Sequence, residues 1–149
     1  MAAPRPRGQR RRDTEHRLTH DIDVWVASAS VDGAPYMVPL SFDWDGEALL
    51  MATPTDSPTA RNLAATRAVR LGLGHPRDVV VIEGDVEVLE IDALPQERGD
   101  RFAAHAGFDP RGLATPYSWF RISPRRIQAW REVDELPDRE LMRDGRWLV

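Results

Sequence analysis

The chain has 149 residues, of which 42% are hydrophobic and 30% charged, the composition of an ordinary soluble globular domain. No apolar run approaches the ~18 residues that a membrane-spanning helix needs, so we expect a cytoplasmic protein with no membrane partner. Cysteine is absent, which excludes disulfides, thiol nucleophiles, iron–sulfur clusters and cysteine-based zinc sites.

The N-terminus is basic, whereas the rest of the chain is acidic. Six arginines but only two acidic residues lie within residues 1–17. Because this stretch contains two prolines and a glycine but no hydrophobic segment, we predict that residues 1–17 form a disordered basic tail and that residues 18–149 form the domain. Deleting residues 1–12 should then leave folding unchanged. The alternative is a nucleic-acid-binding arm, but the tail has no aromatic residue to stack on bases, so we expect no nucleic-acid partner.

The first elements after the tail are predicted to be strands. Residues typical of strands occupy positions 24–30, 36–42 and 48–53. Asp-Gly dipeptides at positions 32–33 and 45–46 suit the tight turns between them. These three strands should form an antiparallel meander.

The remaining elements alternate helices with more strands. Ser57 is a good N-cap and Pro58 a good first residue for a short helix, and residues 94–106 have helical spacing that ends at Gly107. Further strands are predicted at residues 69–74, 79–90, 118–123 and 127–130, with a bulge at Gly84, and residues 141–149 should form a terminal hairpin. The pattern favours a mainly β protein, a six-stranded antiparallel barrel with peripheral helices.

The start of the first predicted helix of the domain has the chemistry of an anion site. Hydroxyl residues surround Ser57, and Arg61 lies one turn into the helix. Helix N-termini attract phosphate because their N–H groups and the helix dipole both favour an anion. The alternative is an ordinary N-cap beside a solvated arginine, and the residues alone do not separate the two.

Other candidate sites have ordinary explanations. His16 and His20 have the spacing of two ligands on one helical face, but solvated histidines explain them better, and we expect no metal site. The acid pairs Asp21/Asp23 and Asp43/Asp45 are interpreted as exposed strand ends and turns. The chain contains no dinucleotide fingerprint, Walker loop or serine-hydrolase elbow.

An ordered set of short segments resembles the pyridoxamine 5′-phosphate oxidase family of flavin-binding split barrels. The likeness runs from residue 21 to residue 149. The segments are Gly33-Ala34-Pro35-Tyr36-Met37-Val38-Pro39-Leu40, Met51-Ala52-Thr53, residues 57–63, Trp119-Phe120-Arg121-Ile122-Ser123-Pro124, Ile127-Gln128-Ala129-Trp130 and Asp138-Arg139. Each is weak alone, and their order makes the set specific.

The resemblance implies a homodimer with FMN at the interface between its subunits. The residues that match the phosphate site are Thr53, Ser57, Thr59 and Arg61, and those that match the ring site are Val38, Pro39, Leu40, Met51 and Ala52. Trp130 and Arg139 would reach the cofactor from the other subunit. A dimer would also cover Trp119 and Trp130, which we expect to be exposed in a monomer.

The chain departs from the family at two places. Pro58-Thr59 replaces the basic Arg-Lys pair that follows the serine, which leaves Arg61 as the nearby cation. Glu135 and Pro137 stand where the family's oxidases hold their substrate with an arginine and a histidine, and a carboxylate repels an anionic substrate. We therefore expect that this protein is not a vitamin B6 oxidase.

The functional expectation is an oxidoreductase that moves a hydride to or from a small substrate with FMN or, alternatively, a deazaflavin (F-420 type) coenzyme. Branches of the same superfamily bind the deazaflavin, and the neutral turn at residues 53–59 excludes neither cofactor. Two alternatives are a flavin-binding carrier without turnover and a ligand-binding barrel without cofactor.

Overall fold

Within residues 3–149, eight strands form one antiparallel sheet that closes on itself. A computed structural model describes residues 3–149 of the protein. The strands are β1 (Asp23–Ala29), β2 (Pro35–Trp44), β3 (Leu49–Pro54), β4 (Ala68–His75), β5 (Asp78–Glu90), β6 (Tyr117–Trp130), β7 (Glu140–Arg143) and β8 (Arg146–Trp147). The helices are α1 (Arg7–His20), α2 (Pro58–Thr66), α3 (Gln96–Ala106) and a 3-10 helix (Val133–Asp138).

Six of the strands make the barrel. The sheet order β3-β2-β1-β4-β5-β6 is closed by pairing between β3 and β6, and β7 and β8 extend the sheet beyond β6. The mainly β, six-stranded antiparallel barrel with peripheral helices is therefore confirmed. The terminal hairpin is also present, as β7 and β8 around Asp144-Gly145.

The barrel is split between β2 and β3. These strands pair only through residues 42–44 of β2 and 49–51 of β3. Beyond these pairs, β2 continues beside β1 and β3 continues beside β6. We call the gap between residues 35–41 of β2 and 52–54 of β3 the split. Helix α2 contacts both strands, so it lies against the split.

Strand β6 corrects one prediction. Residues 118–123 and 127–130 were expected to form two strands because Pro124 separates them, but they belong to one continuous strand. The register with β5 shifts at Glu83/Gly84, which pairs Gly84 with Pro124. A bulge accommodates proline in a strand, and a side chain at position 84 would approach the Ile122 Cγ2 to 2.5 Å. The predicted bulge at Gly84 is thus confirmed.

The hydrophobic residues form two clusters. The larger fills the barrel and includes Phe42, Ile82 and Phe120. The smaller lies between the barrel and α3, where Phe102 and Trp119 meet edge to face with ring centroids 5.1 Å apart. Trp119 is fully buried, so the expectation that it would be exposed in a monomer is wrong: its side chain is covered by α3 of the same chain.

The prediction of a disordered tail is wrong for residues 7–17, which lie in α1, and residues 1 and 2 lie outside the described range. Leu18 joins the barrel core, so the expected boundary between residues 17 and 18 falls inside this helix. Further contacts between α1 and the rest of the chain are polar. Arg17 donates to the Asp78 carbonyl at 2.5 Å, and Arg10 is buried. Because arginine holds the helix in place, hydrophobic patterning did not reveal it.

Helices α2 and α3 agree with the sequence. Ser57 caps α2 by accepting from the Ala60 N–H at 3.1 Å, with Pro58 as the first helical residue, and Gly107 ends α3 with a φ of 70°. Within residues 3–149, no helix is both long enough and apolar enough to cross a membrane.

Candidate functional site

The two sides of the split carry five of the eleven residues expected to contact a cofactor. Residues 38–40 lie on the β2 side, where β2 pairs with β1 alone among the described strands. Residues 52–54 lie on the β3 side and pair with β6. Main-chain groups along both sides therefore face the split rather than each other, and can offer hydrogen bonds to a bound molecule.

The β2 side presents alternating environments, as a strand must. Val38 is the partner of the buried Val26, and Leu40 packs against the barrel core. Pro39 is exposed and is the partner of Trp25 on the outer face of the sheet. Because side chains alternate between the two faces of a strand, Pro39 lies on one face of β2 and Val38 and Leu40 lie on the other. Of these three residues, only Pro39 offers an exposed side chain to a flat ring lying along the strand.

The β3 side is more deeply buried. Met51 is fully buried in the barrel core, and Ala52 belongs to the second cluster beneath α3. Their side chains are covered by protein in this chain. Met51 also pairs with both Phe42 and Phe120, so only Ala52 can offer its backbone to a ligand at the split. The sequence correctly grouped these residues on one strand but did not reveal which face of the strand was free.

Two hydroxyl groups meet at the point where β3 leads into α2. The Oγ1 of Thr53 lies 3.4 Å from the Oγ of Ser57, and Ser57 also caps the helix. Thr55 is turned away and bonds to the Ser118 hydroxyl at 2.8 Å. Thr53 and Ser57 therefore define the end of the split nearest the N-terminus of α2.

The other two residues of the expected phosphate site have different surroundings. Thr59 is almost fully buried on the face of α2 that packs against the barrel. Arg61 is exposed, and its Nη1 donates to the Asp56 carbonyl at 2.5 Å. The guanidinium therefore points back toward the helix start, beside Ser57, where it can meet an anion.

Trp130 is the last residue of β6, and Arg139 lies beside it. Ser118 of β6 is the partner of Thr53, and from there the strand runs on to Trp130, a contour length of roughly 40 Å at ~3.3 Å per residue. The Arg139 guanidinium carbon lies 5.8 Å from the centre of a Trp130 ring. The two residues form a pair at the end of β6 that lies farther along the strand from Ser118.

Glu135 is not the free carboxylate that the sequence suggested. It is almost fully buried, and its two oxygens accept from the Arg5 side chain at 2.8 and 3.1 Å. The main-chain N–H groups of Arg5 and Arg131 also donate to it, each at 2.8 Å. These bonds, those of the Arg5 side chain first, lower the pKa of Glu135 to about 2. Its charge is thus neutralised within the protein and is not presented to a substrate.

Sequence reasoning missed Arg5 and Arg10. The sequence does contain a signal for α1, the helix that includes Arg10, because pairs of polar residues at i and i+4 favour a helix. Gln9 bonds to Asp13 at 2.7 Å, and Arg11 bonds to Glu15 at 2.8 Å.

An apolar surface covers the outer face of β1 and β2. Trp25 is 50% exposed and Met37 is 61% exposed, and they alternate with Pro39 along the paired strands. A shallow cavity of about 200 Å³ lies between Trp25, Pro39 and Gly72. Contiguous exposed apolar residues of this kind typically mark an interaction surface.

His16 and His20 stack on the exposed side of α1, with ring centroids 4.0 Å apart. Within residues 3–149, no cluster of three or more His, Asp or Glu residues is arranged to hold a metal ion.

Comparisons with known proteins agree with this architecture. An F420 reductase of known structure is 21% identical to this chain, with a TM-score of 0.61 over 76% of this chain and 94% of its own. General Stress Protein 26 from Bacillus anthracis is 17% identical, with a TM-score of 0.57 over 82% and 93%. The protein Atu2129 from Agrobacterium tumefaciens is 17% identical, with a TM-score of 0.71 over 94% and 64%. At such identities the likeness shows the fold.

The family comes from the sequence. No curated protein matches the chain significantly. A family model described as pyridoxamine 5′-phosphate oxidase, however, matches residues 17–131, which is well over half of the chain. The resemblance drawn from the short segments is confirmed, and the chain belongs to the pyridoxamine 5′-phosphate oxidase family of split-barrel proteins.

Proposed function

We propose that this protein is an oxidoreductase that uses FMN or a deazaflavin coenzyme to move a hydride to or from a small substrate. The observation that carries the proposal is the hydroxyl pair of Thr53 and Ser57 at the end of the split, in a chain of this family. The ring, when bound, supplies the redox chemistry, and the protein supplies its position and surroundings.

The donors at the end of the split fit a phosphate group. Thr53 and Ser57 offer two hydroxyls, and Arg61 offers a full positive charge beside them. Phosphate oxygens accept strong hydrogen bonds from such donors, and the N-terminus of α2 adds the favourable end of its dipole. These residues would hold the phosphate, whereas main-chain groups of residues 38–40 and 52 would lie along the ring.

The proposal includes a homodimer in which each cofactor touches both chains. Trp130 lies twelve residues along β6 from Ser118, the partner of Thr53, and Arg139 lies beside Trp130. A second subunit could bring them there, and the apolar outer face of β1 and β2 supplies a surface for a second copy. The argument for a dimer thus rests on Trp25 and Met37 rather than on Trp119.

The substrate is not a pyridoxine or pyridoxamine phosphate in this proposal. The position where the family's oxidases carry a substrate-binding arginine is filled by Glu135, which Arg5 binds and which is buried. Pro137 has no side-chain donor at the other position. Neither residue can clamp an anionic substrate.

Titration separates the candidate cofactors. Purified protein, stripped of any bound flavin, is titrated with FMN, with the deazaflavin coenzyme F420 and with riboflavin, and binding is followed by absorbance and fluorescence. We expect saturable binding of FMN or F420 with one cofactor per chain. A protein that binds neither compound would contradict the proposal, and one that binds flavin but never exchanges electrons with small-molecule donors or acceptors would be a carrier.

A further inference from the structure

The segment that carries Trp130 and Arg139 is held from outside the barrel. We define it as the Trp130 segment, residues 129–139, which includes the end of β6 and the 3-10 helix. Its own backbone bond from the Ala129 N–H to the Arg139 carbonyl, 2.9 Å long, closes it into a loop. Further contacts come from the N-terminal residues that precede and begin α1.

Arg10 makes the most extensive of these contacts. Its Nη1 donates to three carbonyl oxygens of the Trp130 segment: Asp138 at 2.8 Å, Ala129 at 3.2 Å and Glu135 at 3.3 Å. Its side chain is nearly fully buried. One guanidinium thus ties the beginning, the middle and the end of the segment to α1, and two of its partners are the direct neighbours of Trp130 and Arg139.

Arg5 fixes the same segment through a side chain. It binds both carboxylate oxygens of Glu135 and also donates its backbone N–H to that group. Glu135 in turn accepts from the Arg131 N–H, next to Trp130 in the chain. Arg5 is oriented by a second ion pair, with Asp13 of α1 at 2.9 Å.

We propose that Arg5 and Arg10 are positioning residues for Trp130 and Arg139, so that the N-terminal segment of each chain shapes the part of the cofactor site which that chain gives to its partner. The inference rests on the proposed function for the role of Trp130 and Arg139 at a cofactor. That Arg5 and Arg10 hold the Trp130 segment in place does not depend on the proposed function, because their bonds to the segment are present in the single chain. The long side chains of Trp130 and Arg139 can meet a ligand at a fixed place only if the backbone of the Trp130 segment is held in one conformation.

A purely structural role for Arg10 would have a different signature. Loss of Arg10 would leave three carbonyl groups without their donor, and this alone lowers the melting temperature. A structural residue leaves cofactor affinity unchanged under conditions where the variant is fully folded. A positioning residue lowers that affinity under the same conditions and also loosens the Trp130 segment specifically.

The test compares Arg10→Met and Arg10→Lys with the wild type and with Val86→Ala, a barrel-core variant chosen to lower stability elsewhere. Each protein is studied at 10 °C after its melting temperature has been measured. Hydrogen exchange gives the protection of amides in residues 129–139 and in the barrel. Titration with FMN and with F420 gives the affinity of the folded protein.

For Arg10→Met, we expect the hydrogen-exchange rate of residues 129–139 to increase at least ~tenfold more than the rate in the barrel does. The affinity for FMN or F420 should fall by about tenfold or more, which is the equivalent of one charge-assisted hydrogen bond. Arg10→Lys keeps a positive donor and should recover part of both losses. Val86→Ala should keep wild-type affinity and segment protection despite its lower melting temperature.

The possible failures are distinguishable. A wild type that binds neither compound overturns the proposed function and with it the cofactor role of Arg10. A wild type that binds, with an Arg10→Met variant of equal affinity and equal segment protection, overturns the positioning role alone. If Val86→Ala loses affinity as much as Arg10→Met, the effect reflects general stability, and the positioning role is likewise overturned.

Discussion

Replacing Glu135 by Gln removes a charge at the point where the N-terminal segment meets the barrel. In the wild type the two carboxylate oxygens accept four hydrogen bonds, three from Arg5 and one from the Arg131 N–H. Gln keeps the shape but has one acceptor oxygen, so its amide nitrogen must face donors. The bidentate ion pair with Arg5 is lost.

The size of the effect follows from the pKa of Glu135, which the hydrogen bonds from Arg5, above all, lower from 4.5 to about 2. Each tenfold change in proton affinity corresponds to ~1.4 kcal/mol, so the ionised form stabilises the fold by ~3 kcal/mol. Because the pKa is lower in the folded protein, this contribution is complete above pH ~4.5 and disappears as the pH falls toward ~2.

The assay is urea unfolding of the wild type and Glu135→Gln between pH 2 and pH 7. We expect the variant to be less stable by ~3 kcal/mol at pH 7, and the difference between the two proteins to shrink below pH ~4.5. Glu132→Gln, an exposed neighbour, serves as the control and should change stability by less than ~1 kcal/mol. Equal stability of Glu135→Gln and the wild type at pH 7, or a difference that does not vary with pH, would refute the reasoning.

Three further outcomes are expected. Deleting residues 1–12 should lower the free energy of unfolding by ~3 kcal/mol or more, since the contacts of Arg5 and Arg10 are lost, and an unchanged urea midpoint would contradict the docking of α1. Arg61→Ala should lower the affinity for FMN or F420 by roughly ten- to a hundredfold and leave the affinity for riboflavin unchanged. The control Arg146→Ala, also at an exposed arginine, should change neither affinity. An equal loss of riboflavin affinity in Arg61→Ala would exclude a phosphate contact. Met37→Arg should convert the proposed dimer to a monomer in light scattering, whereas Leu113→Arg, also exposed, should not. A Met37→Arg protein that is still a dimer would exclude the outer face of β1 and β2 as the interface.

The sequence predicted the barrel because its elements carry local signals. Asp-Gly dipeptides mark the hairpins, Ser57-Pro58 marks the start of α2, and Gly84 marks the bulge. Each of these depends on the conformational preferences of one or two residues, which act before tertiary contacts form. The family resemblance had the same basis, an order of short segments, and it was confirmed.

What the sequence did not predict depends on partners distant in the chain. Arg10 binds carbonyls some 120 residues away, and no hydrophobic spacing announces such a contact. For the same reason the sequence did not predict that Glu135 is paired with Arg5, or that Trp119 is buried beneath α3. Strand alternation could have assigned Pro39 and Met51 to different faces, but which face is covered is a property of the whole fold.

The central claim is that one cofactor site is built from two chains, and mixing variants tests it most directly. One variant carries Arg61→Ala and the other carries Trp130→Ala with Arg139→Ala, so each damages a different half of the site. The two are unfolded, mixed in equal amounts and refolded, with each variant treated alone as the control. FMN or F420 is then added at a concentration that fills wild-type sites but neither variant. Random pairing makes half of the dimers mixed, and each mixed dimer has one intact site, so we expect binding at about one quarter of the wild-type sites. Binding no greater than that of the two variants refolded separately would contradict a shared site.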